Sequence, residues 1–320
     1  MIGKHQIVTI GSINILDTTF QITTRSDLRD LIPSVDAIGL INPPTVIPQE
    51  AGGYRIICGF RRIAACHQCG MDRIVVRIMP ENIDPMTCTV MAAADNALQR
   101  PLNIIEQSRA CRLLLLHCQD GSKLARTARQ LGLPANAGVI RQLAEVSNFD
   151  VTIQDGLHAG HLSLGMALEL STMQPADGNA LARLFQELPM GLNRQRQVLN
   201  FLREISIRDD MTIAELLTTA PVAEVLNHPQ WDTVNKALEL GRYLKTQRFP
   251  HLTQFQKQFE SNCKALKLGS HIRLNAPRDF ESAEYTLLIR FDSPQALQRH
   301  LEAINQVRQS NLFKQLFELI

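Results

Sequence analysis

The pattern of apolar and polar residues changes character along the chain. From the N-terminus to about residue 79 the apolar runs are short, and glycine, proline and asparagine separate them. Short apolar runs bounded by turn residues are typical of β-strands. The predicted strands are residues 6–10, 44–47, 54–58 and 74–78.

From about residue 86 to residue 173 the apolar residues instead recur every three or four positions, as in Leu102, Ile105 and Leu113. This spacing places them on one face of an α-helix. Helical spacing continues to about residue 244, with prolines at the breaks. The middle of the chain is therefore predicted to be helical, and the breaks to be loops.

Near the C-terminus the pattern alternates again. Ile272 and Leu274 oppose a second alternating run over residues 285–291, which predicts a two-stranded pair. Ser293 and Pro294 then provide an N-cap and a first-turn proline for a last helix. The apolar stripe of that helix is predicted either to form a subunit interface or to pack on the chain's own middle helices: Leu297, Leu301, Ile304 and Val307.

Together these patterns predict an α+β protein. The predicted parts are an α/β domain over residues 1–95, a helix-turn-helix domain over 96–174, a helical region over 175–265, and a β-hairpin-helix unit over 266–320. The last unit is the candidate for dimerisation.

Composition narrows the class of protein. The chain has 320 residues, of which 45% are hydrophobic and 20% charged, values typical of a folded globular protein. No run approaches the roughly 18 apolar residues of a bilayer span, and residues 1–16 alternate polar and apolar, unlike a signal peptide. Seven scattered cysteines do not suggest a disulfide framework. We expect a cytoplasmic protein that does not bind membranes.

The segment 54–65 combines a strand, Gly59, and two arginines at the start of a helix. Free backbone N–H groups at a helix N-terminus together with guanidinium groups form a suitable site for phosphate. On spacing alone, Arg61 and Arg62 could equally be ordinary surface residues of the first helical turn.

Residues 123–146 have the pattern of a helix-turn-helix, with Ala128 and Gly132 at the corner of the turn. Residues 100–146 contain seven basic and three acidic side chains, whereas the whole chain has a net charge of only +2. Positive charge is therefore concentrated in this segment. Gly138 stands where the second helix of such a motif usually has an apolar residue, so a plain helical hairpin stays an alternative. The predicted DNA contacts are Lys123, Arg126, Arg129, Asn136, Arg141 and Gln142.

Several segments in the same order resemble the ParB-type partition proteins, over roughly residues 7–170. They are residues 39–46, 59–65, 70–76, 95–103 and 160–167. The resemblance implies an N-terminal domain of the ParB/sulfiredoxin-like fold that binds CTP with Mg²⁺, and a homodimer that binds double-stranded DNA in the nucleoid. It also implies a partition ATPase as a partner, although no basic segment precedes the first predicted strand.

The chain departs from the family at informative positions. Phe60 stands where the family usually has Glu, the acidic residue before Asn96 is the shorter Asp95, and Arg100 lies one residue later than the family arginine. The loss of a carboxylate at Phe60 argues against CTP hydrolysis. Phe60 also stands where sulfiredoxin has its catalytic cysteine, which argues against reductase chemistry. The nucleotide-binding residues that the resemblance implies are Gly59, Arg61, Arg62, Asn96 and Arg100.

No catalytic or metal-binding set emerges from the sequence. Cys66 and Cys69 form a Cys-x-x-Cys pair without a second pair, and helix packing explains them better than zinc. The leading prediction is a ParB-like protein of DNA partition gated by CTP. The alternative is a transcriptional regulator or mobile-element accessory protein with the same fold and no nucleotide switch.

Overall fold

A computed structural model of the chain describes residues 3–277 and 284–317, with side chains through residue 314. The chain divides into two compact units, residues 1–196 and 197–320. The finer division into four parts stays a prediction.

The first unit contains a five-stranded sheet in the order β1-β5-β3-β4-β2. β1 pairs antiparallel with β5, β5 parallel with β3, and β3 antiparallel with β4. The four predicted strands are confirmed to within two residues at each end. β2 was not predicted because it is too short to show an alternating pattern. The strands are β1 (Lys4–Thr9), β2 (Ile13–Asn14), β3 (Thr45–Pro48), β4 (Tyr54–Cys58) and β5 (Arg73–Ile78).

Helices pack on both faces of this sheet. Successive strand residues point to opposite faces, so Ile56 and Ile57 of β4 belong to different hydrophobic clusters. Ile56 packs with Ile63 in the cluster that includes helices α1 (Leu31–Ile38) and α2 (Phe60–Gln68). Ile57 packs in the cluster formed with α3 (Pro85–Ala97) and α4 (Ile104–His117).

The rest of the first unit is helical, as the three-and-four spacing predicts. Asp120, Asn136 and Ser163 cap helices by accepting hydrogen bonds from backbone N–H groups of the first turn. A 3₁₀ turn over Val146–Asn148 follows α6. The helices are α5 (Gly121–Gln130), α6 (Ala137–Glu145), α7 (Val151–His158), α8 (Leu164–Ser171), α9 (Pro175–Glu187) and α10 (Leu192–Asp209), the last extending into the second unit.

The second unit ends in the predicted strand pair and helix. Ile272 pairs with Ile289 and Leu274 with Leu287 in an antiparallel register, and Ser293 caps the helix after them as predicted. The α+β fold class is thus confirmed. The elements are α11 (Ile213–Thr218), α12 (Ala220–Leu226), α13 (Thr233–Arg248), α14 (Pro250–Ala265), β6 (Ile272–Asn275), β7 (Thr286–Ile289), α15 (Pro294–Arg308) and α16 (Asn311–Phe317).

Among these described helices, none has the length and hydropathy that crossing a bilayer requires.

Candidate nucleotide cavity and nucleic-acid interface

A cavity of about 520 Å³ lies where β4 ends and α2 begins. Its size falls within the roughly 300–1,000 Å³ of small-molecule sites. The rest of its lining comes from the end of α3 and the residues just after it, from the segment 20–25, and from Leu31 and Asn42. All the residues predicted to bind nucleotide line this one cavity: Gly59, Arg61, Arg62, Asn96 and Arg100.

Gly59 makes the tight passage from β4 into α2. Its φ of 91° lies in the left-handed region, where a side chain is disfavoured. A Cβ atom added there would lie 3.0 Å from Cβ of Pro44 and 3.1 Å from Cζ of Arg62. The absence of a side chain therefore lets the Arg62 guanidinium lie against the backbone at the start of the helix.

Gly59→Ala is expected to lower the free energy of unfolding by about 2 kcal/mol, because backbone strain and crowding add. Gly70→Ala is the matched control: Gly70 also has a positive φ, of 71°, but nothing lies within 4 Å of an added Cβ. Gly70→Ala should lower the free energy of unfolding by about 1 kcal/mol, because only backbone strain contributes there. Urea denaturation measures both values, and equal losses would contradict the crowding at Gly59.

The arginines of α2 differ in how fully they are paired. Arg62 donates from Nη1 to the carbonyl of Asn42 at 2.7 Å and from Nη2 to the carboxylate of Asp95 at 3.0 Å. Arg61 donates from Nη2 to the carbonyl of Asp27 at 2.6 Å, and its Nε is buried without a partner among the described residues. The exposed Arg25, also on the cavity wall, makes no side-chain hydrogen bond or ion pair within the described ranges. Arg25 and Arg61 thus retain unused donors.

Asn96 and Arg100, the two predicted nucleotide-binding residues that follow Asp95, are held by hydrogen bonds within the chain. Asn96 donates from its side-chain amide to the carbonyl of Ala92 at 3.0 Å, back along α3. Arg100 makes a bidentate pair with Glu106, with both N···O distances at 2.6 Å. Arg100 is 21% exposed and the Glu106 side chain 0%. Arg100 therefore lies at the cavity with its guanidinium already occupied.

Glu106 connects α4 to the segment 20–25, which lines part of the cavity. Its carboxylate accepts from the backbone N–H groups of Thr24 at 3.0 Å and Asn103 at 3.1 Å. Arg109, one turn later on α4, donates to the carbonyl of Thr23 at 2.9 Å. Although burial opposes ionisation, the Arg100 pair and the two N–H groups outweigh it and lower the pKa of Glu106 to about 2.

This low pKa predicts a loss of stability in acid. The Glu106 pKa falls from an ordinary 4.5 to about 2 on folding, so its contribution is complete above about pH 4.5 and is lost as pH falls toward 2. A shift of this size corresponds to about 3 kcal/mol. In urea unfolding at successive pH values, the difference between wild type and Glu106→Gln should narrow across this window. A difference independent of pH would contradict the prediction.

The cavity is poorly suited to thiol chemistry. Cys58 is buried on its wall, and burial raises the pKa of the thiol to about 12, so the thiolate is scarce at neutral pH. The half-buried Phe60 packs beside the Ile63 cluster and lines the cavity without filling it. In the described part of the chain, no three His, Cys, Asp or Glu side chains are grouped to hold a metal.

The candidate DNA-binding segment forms two helices, α5 and α6, joined by residues 131–136. Ala128 is buried at the corner, Gly132 has a φ of 70°, and the N–H of Leu133 donates to the carbonyl of Ala128. Gly138 is exposed, whereas Ile140 fills the core position of α6. All the predicted contacts are exposed, and Asn136 additionally caps α6: Lys123, Arg126, Arg129, Asn136, Arg141 and Gln142.

Sequence reasoning missed Arg25 and Asn42, which line the cavity, and Glu106, which pairs with the lining residue Arg100. Arg25 lies in a segment without periodicity, so nothing in its neighbourhood marks it. Glu106 could have been noticed, because Asn103 and Glu106 have the spacing of a capping box, and the structure contains both of its hydrogen bonds. Its full burial was not foreseeable, since that depends on the distant Thr24.

Residues 5–97 match the family model of the ParB N-terminal domain. The chain is 30% identical over 182 residues to the probable chromosome-partitioning protein ParB of Chlamydia pneumoniae, covering 54% of this chain and 61% of that protein. It spans about half to three fifths of the curated relatives it matches.

Two solved structures of the C-terminally truncated chromosome-partitioning protein ParB from Caulobacter crescentus are also similar. The one complexed with CTP-gamma-S has a TM-score of 0.27 and 22% identity, covering 57% of this chain and 99% of that chain. The one complexed to the centromeric parS site has a TM-score of 0.35 and 18% identity, covering 61% and 98%.

Proposed function

The chain is a divergent member of the ParB-type family through residues 5–97, and from this premise we propose that it is a DNA-binding protein of DNA partition whose N-terminal cavity binds CTP. The supporting observation is the convergence of cationic side chains on that cavity. Arg25, Arg61, Arg62 and Arg100 line it; Asp95, the one carboxylate among the described lining residues, pairs with Arg62, and Arg100 pairs with Glu106. A triphosphate would give the unused donors of Arg25 and Arg61 their missing partners.

Calorimetric titration of the full chain with CTP, with and without random-sequence duplex DNA, tests the nucleotide site. Arg61→Ala should weaken CTP binding at least about tenfold, because a charge-assisted hydrogen bond contributes about 1.5–3 kcal/mol. Arg73→Ala is the matched control: Arg73 is exposed on β5 and does not line the cavity. If CTP gives no heat in either condition, the nucleotide part of the proposal fails.

The proposal is nucleotide binding without efficient hydrolysis. Phe60 offers no carboxylate at the position where the family has Glu. Among the residues that the structure describes, Asp95 is the one carboxylate on the cavity wall, and it is paired with Arg62. Mg²⁺ would therefore be held mainly by phosphate oxygens, with Asp95 as the nearest protein carboxylate, and would there neutralise phosphate charge.

We propose that α5 and α6 contact double-stranded DNA. Their exposed Lys123, Arg126, Arg129 and Arg141 form a basic surface, and neither helix exposes an acidic residue beyond Glu145. Contacts of this kind are mainly to phosphates and position a protein on DNA without reading its sequence. Gln142, exposed in the middle of α6, is the candidate for a base contact.

A homodimer formed through the C-terminal unit completes the proposal. Leu287, Leu288, Phe291 and Leu301 are exposed there, and exposed apolar patches are typical of protein–protein interfaces. A DNA-bound dimer would lie in the nucleoid within the cytoplasm, where a partition ATPase would be its partner. Light scattering during size-exclusion chromatography tests the dimer.

The second candidate is a transcriptional regulator or mobile-element accessory protein without a nucleotide switch. Phe60 favours it, because the position lacks the family carboxylate. Mapping of binding sites on the host genome separates the two candidates. A few clustered sites support partition, whereas sites scattered among promoters support regulation.

A further inference from the structure

The second unit has a cleft of about 360 Å³ between its strand pair and α15. His271 precedes β6, Arg290 follows β7, and Arg299 and His300 lie on α15. The backbone N–H of Arg290 donates to the carbonyl of His271 at 2.8 Å, which fixes these two residues side by side. Three separate elements thus bring basic side chains to one cleft.

These side chains are almost unpaired within the described part of the chain. Arg290 and Arg299 make no side-chain hydrogen bond or ion pair there, and Asp292, the one carboxylate lining the cleft, pairs with neither. The His271 and His300 rings stack at a centroid distance of 5.5 Å and an interplanar angle of 27°. The Arg290 and Arg299 guanidinium groups are exposed and Asp292 pairs with neither, so a bound anion would supply the acceptors that they lack.

We propose that this cleft binds a phosphate group, and that it is a site separate from the N-terminal cavity. A guanidinium presents a planar fork of donors that fits phosphate oxygens in a bidentate way, and Arg290 and Arg299 supply two such forks. An imidazole N–H can complete the set of donors. A phosphate group suits the cleft better than a carboxylate, because its larger number of oxygens can accept from both guanidinium groups at once.

The test is a titration of the full chain with inorganic phosphate, followed by the NMR signals of the histidine rings. His271→Gln and His300→Gln assign the two signals. Both should shift and saturate with phosphate but not with sodium chloride at equal ionic strength. The double variant Arg290→Ala/Arg299→Ala should weaken this binding at least about tenfold.

Arg308→Ala is the matched control, because Arg308 is an exposed arginine at the far end of the same helix. Arg61→Ala should also leave the shifts unchanged, which separates this site from the N-terminal cavity. Absence of histidine shifts, or equal shifts in the double variant, would overturn the proposal.

The source of the phosphate follows from competition in the same sample. Displacement of inorganic phosphate by random-sequence duplex DNA would assign the cleft to the nucleic-acid backbone. Displacement by CTP would assign it to a free nucleotide, and displacement by neither would leave inorganic phosphate as the ligand. Each of these outcomes supports a phosphate site, and none depends on the CTP site of the first unit.

Discussion

Replacing Glu106 with glutamine is expected to lower the free energy of unfolding by about 3 kcal/mol. Breaking a buried ion pair by removing one partner leaves an uncompensated charge, and the usual loss is roughly 3–5 kcal/mol. The lower end applies here because Arg100 is 21% exposed and can recruit water, and because glutamine can still accept one of the two backbone hydrogen bonds.

Urea denaturation of the full chain at pH 7 measures this loss. Glu50→Gln is the matched control: Glu50 is exposed in the turn between β3 and β4, and its substitution should change stability by less than about 0.5 kcal/mol. Should Glu106→Gln be as stable as this control, the network around Glu106 would be energetically unimportant.

Glu106→Gln should also disturb the lining of the cavity. Glu106 holds Arg100 on one side and the backbone of Thr24 on the other, and both flank the candidate nucleotide site. Arg109 adds a second connection from α4 to Thr23. A ligand that displaces the segment 20–25 would therefore disturb the start of α4. Under the proposed function, this network would connect a bound nucleotide to the helical region that contains α5 and α6.

The fold was largely predictable because its elements have local signatures. Strand β4 is an apolar run bounded by Gly53 and Gly59, and α15 begins at the predicted Ser293 cap. The two-residue β2 has no such signature, because its pairing with Tyr54 and Arg55 of β4 is set by the fold and not by its own pattern.

The candidate site was only partly predictable. Gly59, Arg61 and Arg62 are consecutive or nearly so, hence their common location follows from one strand-to-helix junction. The pairing of Arg100 with Glu106 instead depends on how the segment after α3 turns back to α4, which spacing alone does not determine. Arg25 reaches the cavity from a segment without regular structure, so no local pattern could place it.

The triple variant Arg126→Ala/Arg129→Ala/Arg141→Ala is expected to weaken binding to duplex DNA roughly a hundredfold at 0.1 M salt. Each guanidinium that neutralises a phosphate contributes about 0.9 to the slope of log K against log salt, so the slope should fall by about 2 to 3. These side chains are exposed and make no ion pair within the described ranges, and alanine favours helices, so α5 and α6 should remain folded. Fluorescence anisotropy at several salt concentrations measures both quantities.

A control variant with the same change in net charge distinguishes two effects. One is direct contact of α5 and α6 with DNA phosphates, and the other is long-range attraction between DNA and the net charge of the protein. Arg73→Ala/Arg194→Ala/Arg308→Ala removes three exposed arginines that lie outside α5 and α6. If the basic surface contacts phosphates, only the first triple variant should lose slope, because distant charges are screened beyond about 10 Å at 0.1 M salt. Equal losses in both variants would mean that attraction depends on net charge alone, and α5 and α6 would then not be the DNA-binding surface.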